Sequence, residues 1–336
     1  MTRLAIIGAG SWGTALGIIA GRAGHRVQLW SRSSDVVESI NRHRVNSRYL
    51  SGHEIPASVE ASDDLNDALS GVELVVLAAP SHVTRELLIR MMHRFQPGMI
   101  FVSATKGIEI ESGKRISEIL QDVLKNQFEP RFVCLSGPSF AQEVALGQPT
   151  AVVAASNDFL DARLVQETFS FQNLRIYTNR DVVGTEIGGA VKNVMALAAG
   201  MVAGLGLGTN SVAALITRGL AEIARFALAQ GARMETLMGL AGMGDLVLTC
   251  TGALSRNRYV GQELGRGRSI EEILRGMHEV AEGVKTAQAV HRLALRIDVD
   301  MPITSEVNSV LYEGKKAEAA ARELMVRPLR GETDNL

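Results

Sequence analysis

The chain has 336 residues, 46% of them hydrophobic and 21% charged, and its 35 Lys plus Arg are set against 36 Asp plus Glu. That balance excludes a partner held by bulk charge, whether nucleic acid or membrane surface, and the length suits two domains. Cys134, Cys250 and the seven histidines show no metal-ligand spacing, so no metal site and no disulfide framework is expected.

From the start, the chain enters the apolar run Leu4–Ile7 without the basic start, apolar stretch and cleavage site of a secretory signal. Both thiols read as small buried residues of a reducing compartment, and a cytoplasmic chain is expected. Further β-rich runs fall at Arg26–Trp30, Glu73–Ala78, Met99–Ser103, Arg131–Leu135 and Thr150–Ala154. Helical patterns such as Ser11–Arg22 and Ser81–Phe95 lie between them. This alternation predicts a doubly wound parallel sheet, and the unbroken apolar run after Glu73 fits a strand covered on both faces. From about Asp181 the texture turns helical: Val183, Ile187, Val191, Val194, Met195 and Ala198 recur at helical spacing, as do Leu215, Ile216, Leu220, Ile223 and Phe226. Ser269-Ile-Glu-Glu272 has capping-box form and Pro302 is placed to open a late helix. The predicted architecture is an α/β Rossmann-like domain over residues 1–180 followed by an all-helical domain over 181–330, with a frayed tail over the last dozen residues. Val194 to Thr217 carries no charge and is long enough to span a bilayer, and Gly200-x-x-x-Gly204 would suit helix pairing in lipid. Gly206, Gly208 and the polar Thr209-Asn-Ser211 favour instead a buried helix, a glycine-rich break and a second buried helix, with no membrane span.

The strand ends carry the chemistry. Gly8-Ala9-Gly10-Ser11-Trp12-Gly13 directly follows the first strand and opens the first helix, where glycines permit a tight turn and close approach of a pyrophosphate to helix N–H groups. The alternative is a merely tight turn. The second strand ends in Ser31-Arg32 in place of the acid that binds a ribose 2′-hydroxyl in NAD sites, so Arg32 favours NADPH, with NADH possible; a solvated surface arginine is the plain alternative. Ligands of open α/β sheets bind beyond the carboxyl ends of the strands, where Pro80-Ser81, Lys106 and Gly137-Pro138-Ser139 also fall. In the helical half, Lys192 borders the apolar face among the small residues Gly188, Gly189 and Ala190, either as a functional lysine or as a snorkelling one. Gly242-Met-Gly-Asp245 sets a carboxylate ahead of an apolar run, where a plain helix cap is the other reading. Ser255-Arg256-Asn257 groups a hydroxyl, a guanidinium and an amide in a manner suited to phosphate.

Taken in order, these segments resemble the NAD(P)-dependent glycerol-3-phosphate dehydrogenases of the bacterial type, from the first residues to about Leu324. The matching stretches are Gly8-Ala-Gly-Ser-Trp-Gly-Thr-Ala, Ala104-Thr-Lys-Gly-Ile-Glu, Leu135-Ser-Gly-Pro-Ser-Phe-Ala-Gln-Glu-Val, Val191-Lys-Asn-Val, Ala213-Ala-Leu-Ile-Thr-Arg-Gly, Gly239-Leu-Ala-Gly-Met-Gly-Asp-Leu and Ser255-Arg-Asn-Arg. The resemblance implies that Lys192 is the general acid/base. It implies that Lys106, Gly137, Ser139, Lys192, Asp245, Ser255, Arg256 and Asn257 contact substrate, with Arg256 and Asn257 at its phosphate. Cofactor contacts implied beyond the glycine turn are Ser11, Trp12, Arg32, Tyr49, Lys106, Ala141, Arg256, Val280 and Glu282. A homodimer and a supply of glycerol 3-phosphate to phospholipid synthesis are implied as well. Two positions depart from the family pattern: Thr209 stands where many members have Asp, and Gln142 where Glu is common.

The reaction expected is reduction of dihydroxyacetone phosphate at C2, the substrate lying between the domains. A β-hydroxyacid dehydrogenase is the rival enzyme, disfavoured by the phosphate-type Ser255–Asn257 group. An NADPH-binding regulator without turnover would have no use for Lys192, Lys106 and Asp245 together.

Overall fold

The computed structural model describes residues 1–277, 281–329, 331 and 332. By contact the chain divides into two compact units, Met1–Thr105 with Ile116–Val182, and Lys106–Arg115 with Val183–Leu336.

In the first unit, in chain order, the elements are β1 (Arg3–Ile7), α1 (Ser11–Arg22), β2 (Arg26–Trp30), α2 (Ser34–His43), β3 (Val59–Ser62), α3 (Leu65–Ala68), β4 (Leu74–Leu77), α4 (Ser81–Met91) and β5 (Ile100–Ser103). They continue with α5 (Ile116–Leu124), β6 (Arg131–Ser136), α6 (Ala141–Ala145), β7 (Thr150–Ala155), α7 (Phe159–Phe169) and β8 (Leu174–Asn179). The strands form one sheet in the order β3-β2-β1-β4-β5-β6-β7-β8. Its first six positions have the dinucleotide-fold order, with the reversal between β1 and β4. Sequence alternation explains the double-sided burial. Leu4 and Ile6 of β1 and Leu74 and Val76 of β4 enter one apolar cluster, while Ala5, Ile7, Val75 and Leu77 enter the cluster on the opposite face.

The sheet is doubly wound and mostly parallel, as the sequence predicts, with one exception: β6 and β7 pair antiparallel, whereas β7 and β8 are again parallel. The connection, residues 137–149, holds only five-residue α6, which spans about 7.5 Å against about 20 Å for six-residue β6, so no crossover helix carries the chain back along the sheet. The chain therefore turns at Gly147, in the left-handed region at φ +78°, and runs back beside β6. Two strands, β3 and β8, escaped the sequence reading, and they are the two edges of the sheet. The helical pattern Ser81–Phe95 ends as helix at Met91 and continues as a single 3-10 turn, Met92–Arg94.

The second unit is helical, with no strand among its described residues. It contains α8 (Val182–Gly204), α9 (Thr209–Leu228), α10 (Met234–Leu237), a π turn (Leu240–Gly244), α11 (Asp245–Thr251), α12 (Arg256–Gly265), α13 (Ile270–Arg275), α14 (Glu282–Arg296), α15 (Pro302–Tyr312) and α16 (Ala317–Met325). The capping box forms at Ser269, and Pro302 does open a helix. Glu222 of α9 reinforces that start, accepting the N–H groups of Ile303 and Thr304 and the Thr304 hydroxyl at 2.7–2.8 Å. The expected tail reaches beyond the described residues.

Among those residues α8 is the unbroken helix long and apolar enough to cross a membrane, and it is mostly buried in the protein. The glycine-rich break falls at 205–208, but the first half of α9 is half-buried or exposed rather than buried. Gly200 and Gly204 pair with protein. A Cβ at Gly200 would lie 2.1 Å from the Arg258 carbonyl oxygen and one at Gly204 2.2 Å from that of Gln262. Reciprocally, Gly261 and Gly265 of α12 press on the carbonyls of Leu197 and Met201. Backbone thus meets backbone along four glycines, and the start of α12 is held at a set height on α8. Alanine usually favours a helix over glycine, by about 1 kcal/mol, but here the collision at 1.9 Å between a Gly261 Cβ and the Leu197 oxygen decides the sign. Gly261→Ala is expected to lower unfolding free energy by about 3 kcal/mol in urea titration. Gly98→Ala, whose Cβ would meet open space, is the control and should stay near wild type.

Candidate active site

In the first unit, the glycine turn closes at the sheet's reversal point. Gly8 adopts φ +122°, and a Cβ there would lie 2.8 Å from the backbone of Ala78 and Ala79, just past β4. A Cβ on Gly13 would lie 2.0 Å from the Gly8 oxygen, so α1 can begin this close to β1 only with glycine at both positions. Gly10 is different, because nothing stands within 4 Å of its Cβ direction. Beside the α1 N-terminus the turn therefore leaves a shallow open cradle, the shape a diphosphate requires. Trp12 adds a buried indole N–H with no hydrogen-bond partner among the described residues. These observations fit a dinucleotide.

The structure brings Tyr49 to this turn. Ser11 Oγ donates to the Tyr49 carbonyl at 2.8 Å. Fully buried Asn46, which the sequence reading missed, donates to the Ala9 carbonyl at 2.9 Å and the Thr14 hydroxyl at 2.8 Å, while its Oδ1 accepts the Tyr49 N–H. An asparagine among charged residues gives no sequence signal of this role. Arg32 is exposed just past β2, adjacent to β1 in the sheet. Gly137 lies beyond β6 at φ +138°, against Val152 of β7, and accepts the Ser139 hydroxyl at 3.0 Å. Ala141 is the first residue of α6.

In the second unit, Lys106, Lys192 and Asp245 meet. Lys192 Nζ donates to Asp245 Oδ1 at 2.5 Å and Lys106 Nζ donates to Oδ2 at 2.7 Å. Asp245 is 0% exposed, so one wholly buried carboxylate carries two ammonium groups. The carboxylate is the first residue of α11, after the N-cap Gly244, and the hydrogen bonds it accepts come from Lys192, Lys106 and Thr249, so it does more than favour a helix start. The π turn ahead of α11 aims it. A Cβ on Gly188 would lie 2.7 Å from the Ala241 carbonyl oxygen, so α8 can receive this turn one helical turn before Lys192 only where its surface is bare. Thr249, a second residue missed in the sequence, accepts a hydrogen bond from Lys192 Nζ at 2.8 Å and donates to the Asp245 carbonyl at 2.6 Å. It sits one turn after Asp245, a spacing that signals a shared helix face once Asp245 is known.

Burial pulls the Lys192 pKa down, Asp245 pulls it up, and Lys106 lowers it again, leaving it at about 8. Cys250 beside them is pushed up to about 12, chiefly by burial, and stays a thiol.

Ser255 caps α12 by accepting the Arg258 N–H, and Arg256 is exposed at the helix start. Asn257 turns inward: its amide donates to Asn193 Oδ1 and its oxygen accepts the Gly283 N–H, each at 2.9 Å. The relay joins the residues that directly follow Lys192, Arg256 and Glu282. Val280 lies outside the described residues. Thr209 and Gln142, the two departures from the family pattern, are both exposed.

Comparison with known proteins agrees with this geometry. Residues 3–161 match the family model of the NAD-dependent glycerol-3-phosphate dehydrogenase N-terminus, and 181–322 match that of its C-terminus. The glycerol-3-phosphate dehydrogenase [NAD(P)+] of Koribacter versatilis is 54% identical and that of Geobacter sulfurreducens 50%, each alignment covering 98% of both chains. The crystal structure of glycerol-3-phosphate dehydrogenase from Coxiella burnetii superposes with a TM-score of 0.93 at 40% identity, covering 97% of this chain and 99% of that one. A dinucleotide-type sheet and a helical unit with a lysine–carboxylate centre define a nucleotide-dependent dehydrogenase. The chain belongs to the NAD-dependent glycerol-3-phosphate dehydrogenase family.

Gly188→Ala should displace the π turn and with it Asp245. A fall in kcat of about 10- to 100-fold is expected, read by steady-state kinetics, with dinucleotide affinity in fluorescence titration nearly unchanged.

Proposed function

We propose that the chain reduces dihydroxyacetone phosphate to sn-glycerol 3-phosphate with NAD(P)H, reversibly, as a source of glycerol 3-phosphate for phospholipid synthesis. The observation that carries this reading is the buried Asp245 shared by the ammonium groups of Lys192 and Lys106. The first unit, close to residues 1–180, is assigned to the dinucleotide and the helical unit, close to 181–330, to substrate and chemistry. The dinucleotide is held at the Gly8, Gly10 and Gly13 turn with Ser11, Trp12, Arg32, Tyr49 and Ala141, and by Lys106, Arg256 and Glu282. Exposed Arg32, standing where NAD sites carry an acid, supports a preference for NADPH.

When bound, the reduced nicotinamide supplies a hydride for the substrate's C2. The chain's own residues manage the accompanying charge and proton. Lys106 and Lys192 stabilise the negative charge that develops on the C2 oxygen, and Asp245 holds both aimed beforehand, so no reorganisation is needed at the moment of reaction. Lys192 then donates one proton to that oxygen, completing the secondary alcohol. Arg256 and Asn257, with the capping Ser255, are assigned to the phosphate at the start of α12, where helix N–H groups favour an anion. Gly137 and Ser139 are assigned to the substrate. A homodimer is the assembly that the family likeness supports.

The Lys192 pKa of about 8 fixes the pH behaviour. Reduction needs the ammonium form and should decline as pH rises through about 8. Oxidation of glycerol 3-phosphate needs the neutral amine and should rise through the same range. Opposed limbs in the two directions support the assignment, and profiles moving together would remove it. Lys192→Ala should lower kcat by at least about 100-fold while NADPH still binds. Arg32→Ala should reduce NADPH affinity more than NADH affinity, measured by the KM ratio. The decisive assay is NADPH absorbance loss on adding dihydroxyacetone phosphate, beside unphosphorylated dihydroxyacetone; loss with the phosphate ester alone is expected.

A further inference from the structure

Lys106 reaches Asp245 from the strap Lys106–Arg115, which is flanked in sequence on both sides by the first unit yet belongs by contact to the second. Its far end is internally bonded. The Gly113 N–H donates to the Glu109 carbonyl at 2.9 Å, the Glu109 N–H to the Lys114 carbonyl at 3.0 Å, and the Ser112 hydroxyl to the Glu109 carboxylate at 2.5 Å. Ile108 is buried in the helical core, and Arg296 of α14 donates to the Ser112 carbonyl at 3.3 Å. The strap ends in an ion pair: Arg115 Nη1 lies 3.0 Å from Glu186 Oε2, the side chains only 13% and 5% exposed.

Glu186 and Lys192 both belong to α8, about 9 Å apart along its axis. One helix therefore holds both ends of the strap, directly through Arg115–Glu186 and at the other end through Lys192, Asp245 and Lys106. A pair this buried contributes little net stability relative to two apolar side chains of similar size, but it fixes register. Lys106 needs such help, since it is the more exposed of the two lysines and carries a four-carbon stem with high rotamer entropy.

We propose that Arg115 and Glu186 are positioning residues, whose ion pair holds the strap so that the Lys106 ammonium stays on Asp245 during turnover. This rests on the dehydrogenase reading above. The charged and titratable groups that act on Lys192 are Asp245 and Cys250 from α11 and Lys106 from the strap. Withdrawing Lys106 removes the ammonium that opposes protonation of Lys192 and leaves Asp245 to Lys192 alone. Both changes strengthen the hold of Lys192 on its proton, while its burial is unaltered. Loss of the pair therefore moves a pH profile, which a merely structural contact would leave in place.

The test compares the full-length chain with the double variant R115M/E186M, the charge-swapped R115E/E186R and the single variant Glu186→Gln. Steady-state rates are taken in both directions across the pH range, with unfolding midpoints alongside. Wild type is assayed first: if it fails to reduce dihydroxyacetone phosphate, the dehydrogenase reading falls and this inference falls with it. With wild type active, R115M/E186M is expected to lose about 10- to 100-fold in kcat for reduction. Its oxidation limb should move to higher pH by roughly one unit, and the charge swap should recover a substantial part of both. Should the double variant not fold, Glu186→Gln, which preserves shape, is expected to move the limb in the same direction. Unmoved limbs in the folded variants, whatever their stability, would overturn the proposal.

Discussion

A fully buried carboxylate needs partners for its oxygens, and Asp245 receives them from two lysines at once. Desolvating an ionised group costs several kcal/mol even after relaxation, and good geometry with further hydrogen bonds must offset that cost. The helical unit is arranged around this requirement. α8 contributes Lys192, α11 contributes Asp245 and Thr249, and the strap contributes Lys106. Removing either lysine would leave Asp245 under-compensated, so the constraint that stabilises the centre also keeps its two positive charges close together. Their proximity opposes the proton on Lys192, and burial opposes it more. Lys192, the proton donor proposed above, is thereby tuned by the same contacts that hold it.

That tuning needs the backbones of α8, α11 and α12 close to one another, and glycine is what permits it. At Gly188, Gly200 and Gly204 the surface of α8 is bare, and neighbouring carbonyls occupy the space that side chains would fill. The same pattern that raises the thought of pairing in lipid is here a groove for α12. Small residues serve close approach in either setting, and the buried lysine within this helix shows which neighbours it has. The relay of Asn193, Asn257 and Gly283 then ties the two helices to α14 in one register.

The sequence was informative in proportion to burial. Strands covered on both faces announce themselves as apolar runs, so β1, β4 and β5 were legible to within a residue. Edge strands alternate: in β8, Leu174 and Ile176 are buried while Arg175 and Tyr177 are exposed, and β3 is the short Val-Glu-Ala-Ser. Neither carries enough apolar signal. β7 was legible as a strand but its antiparallel direction was not, since its composition is that of any buried strand and only the shortness of α6 betrays the direction. Lys106, Lys192 and Asp245 were legible as residues through family resemblance and strand-end placement. Their shared carboxylate was not, because it joins positions far apart in sequence. Asn46 and Thr249 were missed because their roles consist wholly of such long-range or same-face hydrogen bonds.

The strap shows how far contact departs from chain order. Residues 106–115 interrupt the sheet unit in sequence, yet their apolar and ionic anchors are helical. Lys106 stands only three residues past the end of β5, yet its ammonium bonds to a carboxylate of the helical unit, and the segment it begins is anchored to α8 by Arg115 and Glu186. Catalytic power depends on charges fixed in place before reaction, and the relevant rigidity here is that of the helical unit. Two lysines from distant parts of the chain are thus referred to one helix, which is why an ion pair about two turns away along that helix belongs to the same physical system as Lys192 and its carboxylate.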